Sequence, residues 1–278
     1  MSEAPNLRRR RLRLLRERLL RRRRDRKVQA AMTIMEHLGE LRSRLIFSLV
    51  AFLVISVVAF SFYEPMLEFL LRPYCALPDR LQGPQGCALV VSKPQGGFFF
   101  RLKLTALMGI ALSSPVWLYQ VYAFVLPALT PKEKRYSTPF LLSSVALFAL
   151  GAGLAYLTLP TGLRLLIGLA GSDVVFLIDA EQYLNFIGLM LLGFGLTFEL
   201  PLVLIFLGLA DVVTVEQLRE QRRTAIVVIA VLAAIVTPSQ DPYTMLVLAV
   251  PLYGLYEITL FVLARLTRGR LRRPAEAQ

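Results

Sequence analysis

His37-Leu38-Gly39-Glu40-Leu41-Arg42-Ser43-Arg44-Leu45 runs directly into Ile46-Phe47-Ser48-Leu49-Val50-Ala51-Phe52-Leu53-Val54-Ile55-Ser56-Val57-Val58-Ala59-Phe60-Ser61-Phe62. The second part carries no charge and is close to the length a helix needs to cross the hydrocarbon core of a bilayer. The first part therefore sets a carboxylate, Glu40, among cations at a membrane surface, where it needs a partner.

Five further apolar runs qualify or nearly qualify as spans: Leu104–Leu126, Phe140–Leu159, Phe186–Ala210, Ala225–Val236 and Met245–Ala264. With 56% hydrophobic residues and a mean hydropathy of +0.58, the composition exceeds ordinary soluble usage. The chain reads as an all-α, polytopic membrane protein of six transmembrane helices with no large soluble domain left over. The first apolar run begins well behind the basic start, so no removable signal peptide is expected.

Lys and Arg set the expected orientation. Fifteen of the 32 precede Leu45; Lys132, Lys134 and Arg135 separate the second and third runs, Arg219, Arg222 and Arg223 the fourth and fifth, and five stand from Arg265 onward. The opposite side holds Arg72, Arg80, Lys93, Arg101, Lys103 and Arg164. Both termini are thus expected in the cytoplasm. Cys75 and Cys87 then share the first external loop, where an oxidising compartment lets them pair, though two free thiols fit the spacing equally.

Most of the net charge of +13 falls in residues 7–27, where Leu12, Leu15 and Leu19 recur at helical spacing. A basic amphipathic helix on anionic lipid is the expected use. Nucleic acid is the weaker reading, because the tail leads straight into a span, and no such partner is expected.

The first external loop, Tyr63 to Gly97, is rich in proline and glycine and suits an ordered cap with short helical turns. Ser113, Ser114 and Pro115 are expected to interrupt the second span, Gly151 and Gly153 the third, and Pro251 the sixth, as packing devices and kinks. Glu199, in Gly195-Leu196-Thr197-Phe198-Glu199-Leu200-Pro201, falls near the middle of the fourth run, where a charge costs ~2.5–3.5 kcal/mol or more. It must face a cavity, a partner or a proton, or else bond to backbone freed by Pro201. Glu257, close to the cytoplasmic end of the sixth run, reads as structural. The fifth run makes ~18 Å of helix, well under the ~30 Å core, so something must thin or bridge the membrane there.

Catalysis lacks its parts. The single histidine, His37, lies outside the spans, so no intramembrane Ser-His pair forms. No span offers the second central acid of an aspartyl protease. His and Cys do not cluster as metal ligands. No cofactor and no metal are expected.

His37-Leu-Gly-Glu40-Leu-Arg42-Ser-Arg-Leu45, Pro115-Val-Trp-Leu-Tyr119-Gln120-Val-Tyr-Ala-Phe124-Val-Leu-Pro127, Phe198-Glu199-Leu-Pro201, Thr237-Pro238 with Asp241, and Pro251-Leu-Tyr-Gly-Leu-Tyr256-Glu257 stand in one order. Together they closely resemble the TatC family, the receptor subunits of the twin-arginine protein translocase, over about residues 32–265. The resemblance implies a glove-shaped six-helix membrane domain at 32–265, between a basic cytoplasmic extension at 1–31 and a cytoplasmic tail at 266–278. It implies a multi-pass protein of a prokaryotic cytoplasmic membrane, in an oligomeric complex with TatA- and TatB-type single-span proteins. That complex would bind the twin-arginine signal peptides of folded precursors and export them with the protonmotive force.

Site residues follow from the same resemblance. Glu40 and Glu133 would bind the two arginines, since carboxylates hold planar guanidinium groups through charge-assisted, often bidentate bonds. Phe124 would lie beside them, and Arg42 and His37 would orient the neck. Alternatives stay open: Glu133 as a solvated loop charge, and Glu40 in a local pair with Arg44. Glu199 would line the hollow of the glove. Thr237 and Met245 would mark the region receiving partner helices, with Met245 where some relatives carry a polar residue, and Pro73 and Asp241 would shape external loops. The alternative function is a proton-coupled secondary transporter with Glu199 in its coupling site. Such proteins often show inverted repeats, and none is convincing between residues 45–160 and 182–264.

Overall fold

The computed structural model describes residues 34–82, 84, 86–125, 137–169, 177–210, 212–238 and 241–271. The chain divides into two compact units, residues 1–47 and 48–278, each considered by itself below.

Apolar runs in lipid have no water to satisfy their backbone, so they close their hydrogen bonds within helices. In chain order the helices are α1 (Ile34–Ser61), α2 (Tyr63–Cys75), α3 (Gly96–Leu112), α4 (Ser114–Val125), α5 (Ser137–Gly168), α6 (Ala180–Thr197), α7 (Leu200–Leu209), α8 (Val215–Glu220), α9 (Arg222–Val236) and α10 (Pro242–Leu271). Among the described residues four stretches are long and apolar enough to cross a bilayer: His37–Ser61, Thr138–Gly168, Ala180–Leu209 and Pro242–Leu266. α3 and α4 make a fifth as a pair bent by 51°. The bend falls where Pro115 cannot donate a backbone hydrogen bond. There the Ile110 carbonyl accepts from Ser113 Oγ at 3.2 Å and Trp117 Nε1 at 3.1 Å. α9, at 15 residues, is only about 22 Å long.

Two expected interruptions do not occur. α5 runs unbroken through Gly151 and Gly153, and α10 through Pro251. In lipid a helix loses more by opening than by omitting the one bond a proline cannot make. Gly151 is the packing device expected of it: a Cβ there would lie 2.6 Å from the Phe194 carbonyl oxygen and 2.9 Å from Phe198 Cγ. Gly195 likewise admits the Phe148 ring. The α5–α6 contact is thus close, as small residues allow in membranes.

The segment after α1 is an ordered cap. Tyr156 donates to the Phe69 carbonyl at 2.7 Å while its ring stacks on Phe69, and buried Tyr183 donates to the Leu70 carbonyl at 2.8 Å. Val90 pairs with the segment before α6, accepting from Ala180 N at 2.9 Å and donating to Ile178 O at 3.0 Å. The main core gathers Leu104, Leu159, Ile187, Met190, Phe194 and Leu248, all essentially without exposure. A second cluster joins α8, α9 and α10 around Leu218, Ile229, Leu252 and Tyr256, whose hydroxyl donates to the Leu218 carbonyl at 2.6 Å.

Candidate functional site

Glu40 and Arg44 lie one turn apart in the first part of α1 and form an ion pair. Arg44 directs both Nε, at 3.0 Å, and Nη2 onto the same carboxylate oxygen, Oε1. Oε2 is buried and has no partner among the described residues. Arg42 is exposed and His37 partly so. Phe124 stands half-buried at the end of α4. Glu133 and the basic extension 1–31 lie outside the described residues.

Glu199 sits with Phe198 in a two-residue break between α6 and α7. Pro201, in the first turn of α7, has no N–H to offer the Thr197 carbonyl, so the helix must restart there. The acid lies nearer the middle of this helix pair than either end, about 28 Å from Ala180 and about 15 Å from Leu209 along the axis. Its side chain bonds not to freed backbone but to another helix: Oε2 accepts from Ser144 Oγ of α5 at 2.7 Å. Oε1 is buried without a partner among the described residues.

Pro73 is buried inside α2, and Cys75 and Cys87 are bonded to each other with their Cα atoms 4.9 Å apart. Gln82 Nε2 donates to the Leu77 carbonyl at 2.7 Å beneath them. Asp241 caps α10, accepting from Thr244 N at 2.8 Å. Thr237 is buried and donates to the Ala233 carbonyl at 2.8 Å, and Met245 packs half-buried against the main core. Glu257 accepts from Arg222 Nη2 at 2.7 Å and Tyr253 OH at 3.0 Å, a structural use.

Sequence reading passed over Asp179, which caps α6 by accepting from Glu181 N at 2.9 Å and Gln182 N at 3.3 Å. An acid three residues before Gln182, ahead of an apolar run, was a usable signal. A hydrogen bond from Ser92 Oγ at 2.7 Å is the main reason its carboxyl titrates below the ordinary range. Ser144 gave no signal, being one of many serines in apolar runs.

The class is that of a polytopic, all-helical membrane protein with one acid paired at the start of its first helix and another at a helix break. The profile of the family described as Sec-independent protein translocase protein (TatC) matches residues 36–251. The Sec-independent protein translocase protein TatC of Frankia casuarinae is 44% identical over 247 residues, covering 86% of this chain and 68% of that protein. The TatC of Aquifex aeolicus is 38% identical over 242 residues, covering 86% and 98%. A crystal structure of the twin-arginine translocase receptor TatC aligns with a TM-score of 0.69 at 38% identity, over 84% of this chain and all of that one. The chain belongs to the TatC family and is a protein translocase component, not an enzyme.

Proposed function

We propose that the chain binds twin-arginine signal peptides of folded precursors through Glu40 and Glu133, beside Phe124, with Arg42 helping to orient the neck. In this reading the five crossings and the short α9 make six spans, both termini are cytoplasmic, and the membrane is the cytoplasmic membrane of a prokaryote. Single-span TatA- and TatB-type proteins join it near Thr237 and Met245 in an oligomeric complex driven by the protonmotive force. The extension 1–31 holds anionic lipid, and 266–278 forms a cytoplasmic tail.

The observation that carries the signal-binding reading is the uneven use of Glu40. Of the two Glu40 carboxylate oxygens Arg44 reaches Oε1, while buried Oε2 has no donor among the described residues, which is costly. A guanidinium from outside the chain would supply that donor with a charge-assisted bond. Crosslinking of membrane-embedded protein to a labelled signal peptide tests it. Glu40→Ala and Glu133→Ala are each expected to weaken capture of an Arg-Arg signal more than of a Lys-Lys one, because only guanidinium pairs bidentately. Equal losses with both signals would refute direct pairing.

A further inference from the structure

We infer that Ser144 is the positioning residue of the Glu199 carboxyl group, holding Oε2 across the α5–α6 contact so that Oε1 is presented in one fixed direction. The inference rests on the reading that Glu199 is used in export.

Serines inside helices ordinarily spend their hydroxyl on their own backbone one turn earlier. Ser143 does so, donating to the Pro139 carbonyl at 2.8 Å. Its neighbour Ser144 is buried and donates instead to a different helix, meeting Glu199 Oε2 at 2.7 Å. The acceptor needs such a tether, because Glu199 lies in the break between α6 and α7 rather than in a continuous helix. No other side-chain donor reaches either of its carboxylate oxygens among the described residues.

The distance is fixed by the packing of α5 against α6 beside the pair. Gly151 meets the Phe194 backbone and the Phe198 ring, and Gly195 meets the Phe148 ring, so α5 and α6 cannot slide without a clash. Trp117 braces Phe148 edge-on at 5.5 Å between ring centres. A carboxyl group with one oxygen held by a rigidly placed hydroxyl points its second oxygen one way. That is the arrangement expected of an acceptor prepared for a single donor.

The test uses the full chain in native membranes with its translocase partners. Labelling of Glu199 by a hydrophobic carbodiimide reports the freedom of the carboxyl group without requiring transport. Ser144→Ala is expected to change the labelling rate by about threefold, the weight of a typical hydrogen bond between membrane helices, and Ser144→Thr, which keeps the hydroxyl, to restore it. Equal rates in all three proteins would overturn the inference. Export of a folded reporter forms the second arm. Ser144→Ala should slow it, yet add nothing to Glu199→Gln, since both changes remove one unit. A further loss in the double variant would assign Ser144 a separate structural role and overturn the inference. Normal export by Glu199→Gln would instead refute the use of Glu199, and the labelling arm would still decide whether Ser144 holds it.

Discussion

At the residue scale, Glu40 is held by a neighbour that carries the same group as the proposed ligand. Arg44 places Nε and Nη2 on Oε1, so it competes weakly with an incoming guanidinium for the same carboxylate. Pairs of this i,i+4 kind are worth about 0.3–0.5 kcal/mol. Arg44→Gln is therefore expected to strengthen binding of an Arg-Arg signal by about twofold, measured by titrating labelled signal peptide onto detergent-solubilised protein, while Arg42→Gln changes it less. Asp179 shows a different single-residue effect. Its bond from Ser92 and its two amide donors stabilise the ionised form, lowering its titration in the folded state. A depressed carboxyl contributes stability that is complete above the unfolded value, about 3.9, and is lost as pH falls through the folded one. Thermal unfolding should hold level from neutral pH to about 5 and decline below about 4. Ser92→Ala should make that acid decline shallower, and Asp179→Ala should cost about 1 kcal/mol at neutral pH through loss of the helix cap.

At the element scale, two devices hold the helices and the cap. The bond between Cys75 and Cys87 closes a short loop, with a sequence separation of 12, and the chain-entropy relation for such a loop gives about 3 kcal/mol. Cys87→Ser should therefore open the cap to protease under conditions that leave the parent protein intact. The same reductant sensitivity should be seen in the parent. α5 and α6 meet without room for a methyl group at Gly151, whereas a Cβ at Gly153 meets nothing within 4 Å. Gly151→Ala should destabilise by about 1–3 kcal/mol, as overpacking does. Gly153→Ala, on the same helix, should leave the melting temperature nearly unchanged. A matched fall in both variants would mean that the α5–α6 approach at Gly151 is not the controlling quantity, since helix propensity alone favours alanine over glycine at both positions.

At the scale of the whole molecule, the spans were legible because hydropathy records the cost of exposed backbone in lipid, and a helix is the simplest answer. The bend at Ser113 to Pro115 was legible for the same reason, since proline removes a donor wherever it stands. Gly151 and Pro251 misled because a local weakness in a helix breaks it only when the surroundings offer an alternative partner, and lipid offers none. The Ser144–Glu199 bond was illegible, because 55 residues separate its ends and only the packed helices bring them together. The short α9 was read correctly from length alone, and its 15 residues set a demand on the bilayer. About 22 Å of helix beside spans of 25 to 31 residues leaves one flank of the molecule too short for a ~30 Å core. On the proposed six-span topology the lipid there thins, at a cost of fractions of a kcal/mol for each Å of mismatch. Reconstitution in bilayers of increasing acyl length should therefore lower the thermal midpoint steadily once the core exceeds ~30 Å. A variant with four leucines inserted after Val231 lengthens α9 by about 6 Å and should shift that decline to thicker bilayers. If both proteins respond to thickness alike, the short helix is not what couples the fold to the membrane.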